Sequence, residues 1–359
     1  MTSDHPFLIT MGDAAGIGPE IIAKAFARAP AELCGCVVVG DVAVLRRAAQ
    51  LVATSDAASD SASAQTSALP LAVAELSGFA DVASVPPRCI GVWQACELEA
   101  PPAYGQISAA AGRAGAECIV AAAQAVLSGQ ARGMITAPIH KEALFAAGGD
   151  CARFPGHTEM LQAQAAAYLG KSLADMPVRM MLANPELRTV LVSIHISLRE
   201  AIEAVRFDTV LETLRITHAA LTLILGRPPK IGVAGLNPHA GEGGLFGREE
   251  VDIIAPAIAA AQAAGIQASG PHAPDTIFMR ARASGGRVGE FDVVVAMYHD
   301  QGLIPVKYLG MEQGVNVTLG LPLLRTSPDH GSAFDIAGTG RADASSLLAA
   351  IRMARSLAA

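Results

Sequence analysis

Residues 292–300 read DVVVAMYHD. Three consecutive valines, closed by Ala296 and Met297, predict a short strand buried in a sheet core. His299 and Asp300 follow almost at once. Two further stretches end in the same way, TVLVSIH at 189–195 and PKIGVAGLNPH at 229–239. In an open α/β sheet, ligands bind beyond the carboxyl ends of the strands. Three imidazoles delivered to that edge, His195, His239 and His299, predict one divalent metal site and hence an enzyme. Neutral imidazole suits Zn, Fe, Co or Ni, whereas carboxylate and water suit Mg or Mn. Asp300 is placed to ligate the metal or to support a ligand. His140, at the end of GMITAPIH, occupies a comparable position, and the pattern alone does not separate it from the other three.

Outward from these strands, apolar runs alternate with helical periodicity. Strands are expected at FLITM (7–11), CVVVGD (36–41), GMIT (133–136) and, as a pair around Asn184-Pro185, in VRMMLANPELRTVLVSIH (178–195). Helices are expected at 21–29, 42–53, 108–129, 141–148, 158–170, 207–226, 248–265 and 342–359. In REEVDIIAPAIAAAQAAG the acids lie in the first turn, where the helix dipole favours them. Such alternation implies an α/β fold with a largely parallel sheet. A length of 359 residues favours two domains. One is expected from both chain ends (1–140 and 310–359) and the other from the middle (141–309). Residues 53–69, small, polar and repetitive, predict a surface loop or insertion without a catalytic part.

The composition, 52% hydrophobic and only 16% charged, suits large buried faces. A net charge of −7 argues against a general nucleic-acid binder. An anionic ligand must therefore be held by local Lys and Arg. Cys34, Cys36, Cys89, Cys96, Cys118 and Cys151 show no C-x-x-C spacing, and Cys34 and Cys36 are too close for a natural bridge. They are expected to be buried thiols of a reducing cytoplasm. The first ten residues carry no signal-peptide pattern, and no apolar run approaches the ~18 residues of a membrane span. A cytoplasmic protein away from membranes is expected.

Lys307 in IPVKYLG, Asn316 in GVNVTLG and Arg325 in LLRTSPDHG stand singly among apolar neighbours. Isolated cations in such settings imply an anionic partner, met by the Arg fork and the Lys point charge. FPGHTEM places His157 and Thr158 at a helix start. Thr158 either caps that helix or, with the free N–H groups there, meets a phosphate. GDAAGIGPE lacks true G-x-G-x-x-G spacing, and the chain has neither a P-loop nor a G-x-S-x-G elbow. HGSAFDIAGTG (330–340) is the better dinucleotide loop. His330, Gly331, Ser332, Ala333 and Gly338 would line it with small groups for close backbone approach. Asp335 suits a ribose diol and favours NAD over NADP.

ITMGDAAGIGPEI, TAPIHKEAL, FPGHTEML, GLNPHAGEGGLFG, GPHAPDTIF, AMYHDQGLIPVKY and GVNVTLGLPLLRTSPDHGSAFDIAGTGRAD together resemble the 4-hydroxythreonine-4-phosphate dehydrogenase family of pyridoxal phosphate biosynthesis. The resemblance runs from Ile9 to Asp343. The first and last segments are also similar to end motifs of isocitrate and isopropylmalate dehydrogenases. That implies their two-domain fold, with largely parallel central sheets and the active site in the interdomain cleft. The resemblance further implies a divalent metal (zinc foremost, with Mg, Co, Mn and Ni as alternatives) on His195, His239 and His299. It implies substrate binding by His157, Thr158, Lys307, Asn316 and Arg325. It implies a homodimer with a shared active site, in which the middle domain binds metal and dimerises and His299 of the partner subunit completes the ligand set.

The implied reaction is oxidation of a phosphorylated hydroxy acid by NAD⁺, with the metal as Lewis acid. The foremost substrate is 4-phosphohydroxy-L-threonine, which would then lose CO₂ to give 3-amino-2-oxopropyl phosphate. Asp300, Asp275, Lys307 and metal-linked water are the candidate proton acceptors. Two departures bear on the substrate. Ala14 stands where the family usually has Pro, and Met11-Gly12-Asp13 stands where many biosynthetic members have Pro-Gly-Glu. The triplet is similar to paralogues that oxidise 4-phospho-D-threonate or 4-phospho-D-erythronate. A terephthalate cis-dihydrodiol dehydrogenase is a further relative, but His157, Thr158, Lys307, Asn316 and Arg325 argue for a phosphorylated substrate. A metal-dependent phosphohydrolase or a sugar-phosphate sensor would use the same residues in part, yet neither needs an adenosine pocket.

Overall fold

In the computed structural model, which describes residues 5–57 and 71–358, the valine runs are buried strands. The chain divides into two units, Met1–Met176 with Leu321–Ala358, and Pro177–Gly320. The first runs β1 (Phe7–Thr10), α1 (Gly18–Arg28), β2 (Cys36–Gly40), α2 (Val42–Ala57), β3 (Ala72–Glu75), β4 (Cys89–Gln94), α3 (Ala109–Leu127), β5 (Gly133–Thr136), α4 (Lys141–Ala147) and α5 (His157–Leu169). The second runs β6 (Arg179–Ala183), β7 (Arg188–Leu191), α6 (Leu198–Ala204), α7 (Phe207–Leu225), β8 (Ile231–Ala234), α8 (Ala255–Ala263), β9 (Ala268–His272), α9 (Ile277–Ala281), β10 (Val293–Ala296), α10 (His299–Tyr308) and β11 (Val315–Leu319). The chain then completes the first unit with β12 (Arg325–Pro328) and α11 (Ser345–Leu357).

The unit boundaries therefore fall at 176 and 320, not at 140 and 309. The reason is packing. Helices α4 and α5 lie against α3, and β11 pairs with β6. Residues 53–57, expected in a loop, continue α2; the rest of that expected loop, 58–69, lies outside the described residues.

Strands of the first unit lie in the order β3-β4-β2-β1-β5-β12, and every pairing is parallel. In the second unit the order is β11-β6-β7-β10-β8-β9. Its β7, β10, β8 and β9 are parallel. The expected pair around Asn184-Pro185 is the antiparallel hairpin β6–β7, with Met181 opposite Val190. Asn184 makes its turn, since Oδ1 accepts from the N–H groups of Glu186 and Leu187 at 2.9 and 2.8 Å. This is an Asx turn, which a short amide side chain favours.

Both chain ends meet at a buried ion pair. Lys24 on α1 donates from Nζ to the carbonyls of Gly340 and Ala342, each at 2.6 Å, and lies 3.1 Å from Glu20 Oε1. The same Glu20 oxygen accepts from the N–H of Ala342 at 2.9 Å. All three ammonium donors are thereby used, as burial of a cation requires. Cys36, Cys89, Cys96 and Cys118 are buried as expected, whereas Cys151 is half-buried and Cys34 exposed. Among the described residues no helix is long and apolar enough to cross a membrane.

Two glycines on α3 differ in what they permit. A Cβ on Gly112 would lie 2.0 Å from the carbonyl oxygen of Ala143 on α4, whereas one on Gly115 would make only ordinary contacts at 3.4 Å and beyond. Gly112→Ala should lower stability by about 1–3 kcal/mol, because backbone must move. Gly115→Ala should be neutral or raise stability by up to about 1 kcal/mol through helix propensity. Thermal unfolding of the two variants side by side checks the contrast.

Candidate active site

The second unit brings its histidines to the carboxyl edge of β7, β8 and β10. His195 follows β7 in a left-handed conformation, φ 46°. His299 opens α10. That helix seats closely because of Gly302, where a Cβ would lie 2.5 Å from Leu191 Cδ2 of β7. As a result the His195 and His299 rings stand 5.6 Å apart, centroid to centroid. They line a cavity of about 300 Å³ with Tyr298 and Asp300. His239 lines a neighbouring cavity of about 770 Å³, together with Asp275, Tyr298, Asp300 and Gln301. Among the described residues, no three His, Cys, Asp or Glu side chains of one chain converge closely enough to hold a metal.

Two of these imidazoles are held by carboxylates. His239 Nδ1 lies 2.7 Å from Glu242 Oε1, and His299 Nδ1 lies 2.6 Å from Asp300 Oδ1. A carboxylate only accepts, so in the neutral ring each Nδ1 carries the proton and each Nε2 keeps its lone pair. That is the arrangement by which an outer carboxylate orients a histidine ligand and raises its basicity. The hydrogen bond to Glu242, with its charge, pushes the His239 pKa above the ordinary value. The donor set thus fits a divalent metal.

The loops carrying these residues are tied together by groups that the sequence reading did not single out. Gln301 accepts from the N–H of Met297 and donates to the carbonyl of Gly235, both at 2.7 Å. Ser193 donates to the carbonyl of Met297 at 3.0 Å. Glu250 is buried, and its Oε1 accepts from the N–H groups of Leu236 and Asn237 at 2.7 Å. Its other oxygen accepts from Asn237 Nδ2 at 2.9 Å. The first-turn acid expected to serve a helix dipole instead holds the His239 turn. Ahead of α8 that helix begins with a wide turn over Glu250–Ile254. In the His239 turn every residue from His239 to Gly243 has positive φ, between 41° and 76°.

Lys307 lies in the last turn of α10 and Asn316 on β11 opposite Leu182. Asp300 and Lys307 are seven residues apart on one helix, about 10 Å along its axis. They are therefore not a direct acid–base pair.

The other anion candidates belong to the first unit. Arg325 begins β12 and is buried; its Nε and Nη2 donate to Thr136 Oγ1 at 3.0 and 2.8 Å. Burial brings its pKa down to about 10, so it stays cationic at neutral pH. His157 starts α5. Burial, and then the charge of Arg325, hold its pKa well below the ordinary value, and its shielded Nε2 has no hydrogen-bond partner. It is a neutral imidazole beside a fixed cation. Thr158 is not the cap of α5; Gly156 is, with no side-chain cap bond. The Thr158 hydroxyl is accordingly not committed to capping.

The 330–340 segment is a loop before α11. Gly331 and Asp335 are exposed there, and a Cβ on Gly331 would meet nothing within 4 Å. His330 Nδ1 lies 3.0 Å from the carbonyl of Gly331. Ala333 has φ 42°. Ser332 is buried, and its carbonyl accepts from the N–H of Ile17 at 3.0 Å. Gly338, φ 75°, lies under the Tyr104 ring, where a Cβ would come within 2.2 Å. Open backbone at Gly331 and an accessible carboxylate at Asp335 fit a dinucleotide.

The profile of the family described as "Pyridoxal phosphate biosynthetic protein PdxA" matches residues 32–354. A 4-hydroxythreonine-4-phosphate dehydrogenase of Beijerinckia indica is 49% identical, covering 96% of this chain and 92% of its own length. A D-threonate 4-phosphate dehydrogenase of Cupriavidus necator is 44% identical, covering 98% of this chain and 96% of its own. The crystal structure of a 4-hydroxythreonine-4-phosphate dehydrogenase from Klebsiella pneumoniae superposes with a TM-score of 0.84 at 38% identity, covering 99% of both chains.

The Glu242 contact makes a titration prediction. In metal-free protein His239 should titrate above the ordinary histidine value of about 6.5, and Glu242→Gln should bring it back down. His157 should stay neutral under the same conditions. Histidine ring resonances followed by NMR against pH read all three; an unshifted His239 in the wild type would remove the argument for its orientation.

Proposed function

The chain belongs to the pyridoxal phosphate biosynthetic protein PdxA family, and on that footing we propose that it is an NAD-dependent, divalent-metal-dependent dehydrogenase of a phosphorylated hydroxy acid. We take 4-phosphohydroxy-L-threonine as the foremost substrate, oxidised at its secondary alcohol and then decarboxylated to 3-amino-2-oxopropyl phosphate. The observation that carries this reading is the 49% identity across nearly the whole of a relative bearing that activity in its name. The carboxylate-held histidines, the buried Arg325 and the open 330–340 loop supply the chemistry it needs.

We assign the metal to His195 and His239 of one chain and His299 of the partner subunit. A metal held there would supply Lewis acidity toward the substrate alcohol, and a dinucleotide held by the 330–340 loop would supply the hydride acceptor. Glu242 and Asp300 present the Nε2 atoms of His239 and His299. His157, Thr158, Lys307, Asn316 and Arg325 hold the anionic substrate. His157 takes part as a neutral hydrogen-bonding group. Asp275 and Asp300, which share a cavity wall with His239, and Lys307 are the candidates to take the alcohol proton. Asp300 already holds His299, which leaves Asp275 the freer of the two carboxylates for that task. His330, Gly331, Ser332, Ala333, Asp335 and Gly338 receive the dinucleotide, with Asp335 selecting NAD over NADP by repelling a 2′-phosphate.

Oxidation of 4-phospho-D-threonate or 4-phospho-D-erythronate is a second reading. It is favoured by Met11-Gly12-Asp13 and by the 44% identity to the Cupriavidus necator relative.

Absorbance at 340 nm after mixing protein, divalent metal, NAD⁺ and each of the three phosphorylated acids should rise with one of them. Phosphate release without NADH, across all three, would instead establish a hydrolase.

The shared site has its own test. His239→Ala and His299→Ala should each abolish turnover and reduce bound metal. Mixing the two inactive chains should restore roughly a quarter of wild-type activity, because half the random dimers regain one intact site of two. No recovery after exchange, with mixed dimers verified by mass, would place all three ligands on one chain.

A further inference from the structure

We propose that His140 is a positioning residue for the dinucleotide loop, which its ring ties to the turn that anchors the anion-binding side chains. The proposal rests on the assignment of residues 330–340 to the dinucleotide.

The turn from Thr136 to His140 leaves the carboxyl end of β5, and nearly every residue in it holds something. Thr136 Oγ1 accepts both hydrogen bonds from Arg325. The backbone of Ala137 meets the His157 ring. The carbonyl of Pro138 accepts from the N–H of Asp13 at 2.9 Å. Asp13 in turn is buried; its carboxylate accepts from the N–H of Ala15 at 2.8 Å and faces the N–H of His140. This turn also needs Gly12, where a Cβ would strike the carbonyl of Pro138 at 2.5 Å.

From this fixed base the His140 ring stacks on Phe334, 4.4 Å between centroids and 26° between planes. Phe334 sits between Ala333 and Asp335, in the middle of the dinucleotide loop. The loop backbone on either side is already tied down. The carbonyl of Ser332 accepts from Ile17, and Gly16 packs 2.9 Å (as an added Cβ) from Ser332. Gly105 lies so close to the carbonyl of Phe334 that a Cβ would come within 2.7 Å. The Phe334 ring is bordered at its edge by Gly16, where a Cβ would lie 3.4 Å from Cε1, and its face is covered by the His140 stack.

The state of the imidazole supports a role for its face. His140 Nδ1 is shielded from solvent and has no hydrogen-bond partner. An unsatisfied buried nitrogen is a cost to folding, so Nδ1 gives the side chain no hold, while the stacked face does. An aromatic pair of this geometry is worth a factor of roughly 2–10 in an equilibrium.

Calorimetric titration of the metal-free full-length protein tests this without relying on turnover. His140→Ala should weaken NAD⁺ binding roughly fivefold to tenfold. His140→Phe, which keeps an aromatic face and removes the unpartnered nitrogen, should bind NAD⁺ within about twofold of wild type and melt no lower. Inorganic phosphate should bind wild type and both variants alike. With holoenzyme, the KM for NAD⁺ should rise in His140→Ala while kcat holds. Wild-type NAD⁺ affinity in His140→Ala would overturn the positioning role, as would a His140→Phe protein as weak as His140→Ala. If the wild type itself binds no NAD⁺ while binding phosphate, the assignment of the loop falls, and this inference with it.

Discussion

The first unit depends on one buried ion pair. Glu20 and Lys24 lie one turn apart on α1, both nearly inaccessible to water, and their partners are the backbone groups of Gly340 and Ala342. A segment more than three hundred residues away in sequence is thereby fixed against the first helix. Breaking one partner of such a pair leaves the other charged and unpaired, at a cost of about 3–5 kcal/mol. The 330–340 loop ends at this clamp, and α11 starts just after it to pack on β12. A unit made from both ends of a chain must be closed somewhere, and here the closure coincides with the end of the loop assigned to the dinucleotide.

The second unit solves a different problem. Three parallel strands deliver three loops to one edge, and loops carry backbone groups that need partners. Gln301, Ser193 and Glu250 supply them, each joining a loop to something other than its own strand. The histidines are consequently set by a polar scaffold that contains no histidine. The carboxylates of Glu242 and Asp300 then fix which ring nitrogen is outward. Position and tautomer are determined by separate residues, so each can be altered without the other.

Much of this was legible in the chain. Valine runs at β2 and β10 and the Asn-Pro turn between β6 and β7 carry strong local signals. The three strand-end histidines did too. By contrast β12 is Arg-Thr-Ser-Pro, entirely buried yet without one Val, Ile, Leu or aromatic residue, and no hydrophobic alternation could reveal it. Its burial follows from parallel pairing with β5, which is a tertiary fact. Thr158 has the residue type of a cap, but the extended backbone at Gly156 makes that residue the cap and the helix starts at His157. Glu250 has the sequence position of a helix acid, whereas two of its three partners are the backbone N–H groups of Leu236 and Asn237, which carry no residue-type signal. His140 shares the strand-end pattern of the other histidines, and only the family resemblance sets it apart from them in the sequence; its stack on Phe334 joins distant parts of the chain and has no local signal.

The left-handed run from His239 to Gly243 has a consequence for how such a site can be inherited. Five successive residues in that region form a compact turn of the hand opposite to an ordinary helix, and the partners that hold it, Asn237 and Glu250, lie within the same fifteen-residue stretch. The stretch from Leu236 to Glu250 is thus a nearly self-sufficient cassette. It can pass intact from one chain to another, with its histidine already presented, while segments outside it diversify independently. The presentation of the ring and the make-up of its surroundings are then separately heritable parts of one chain.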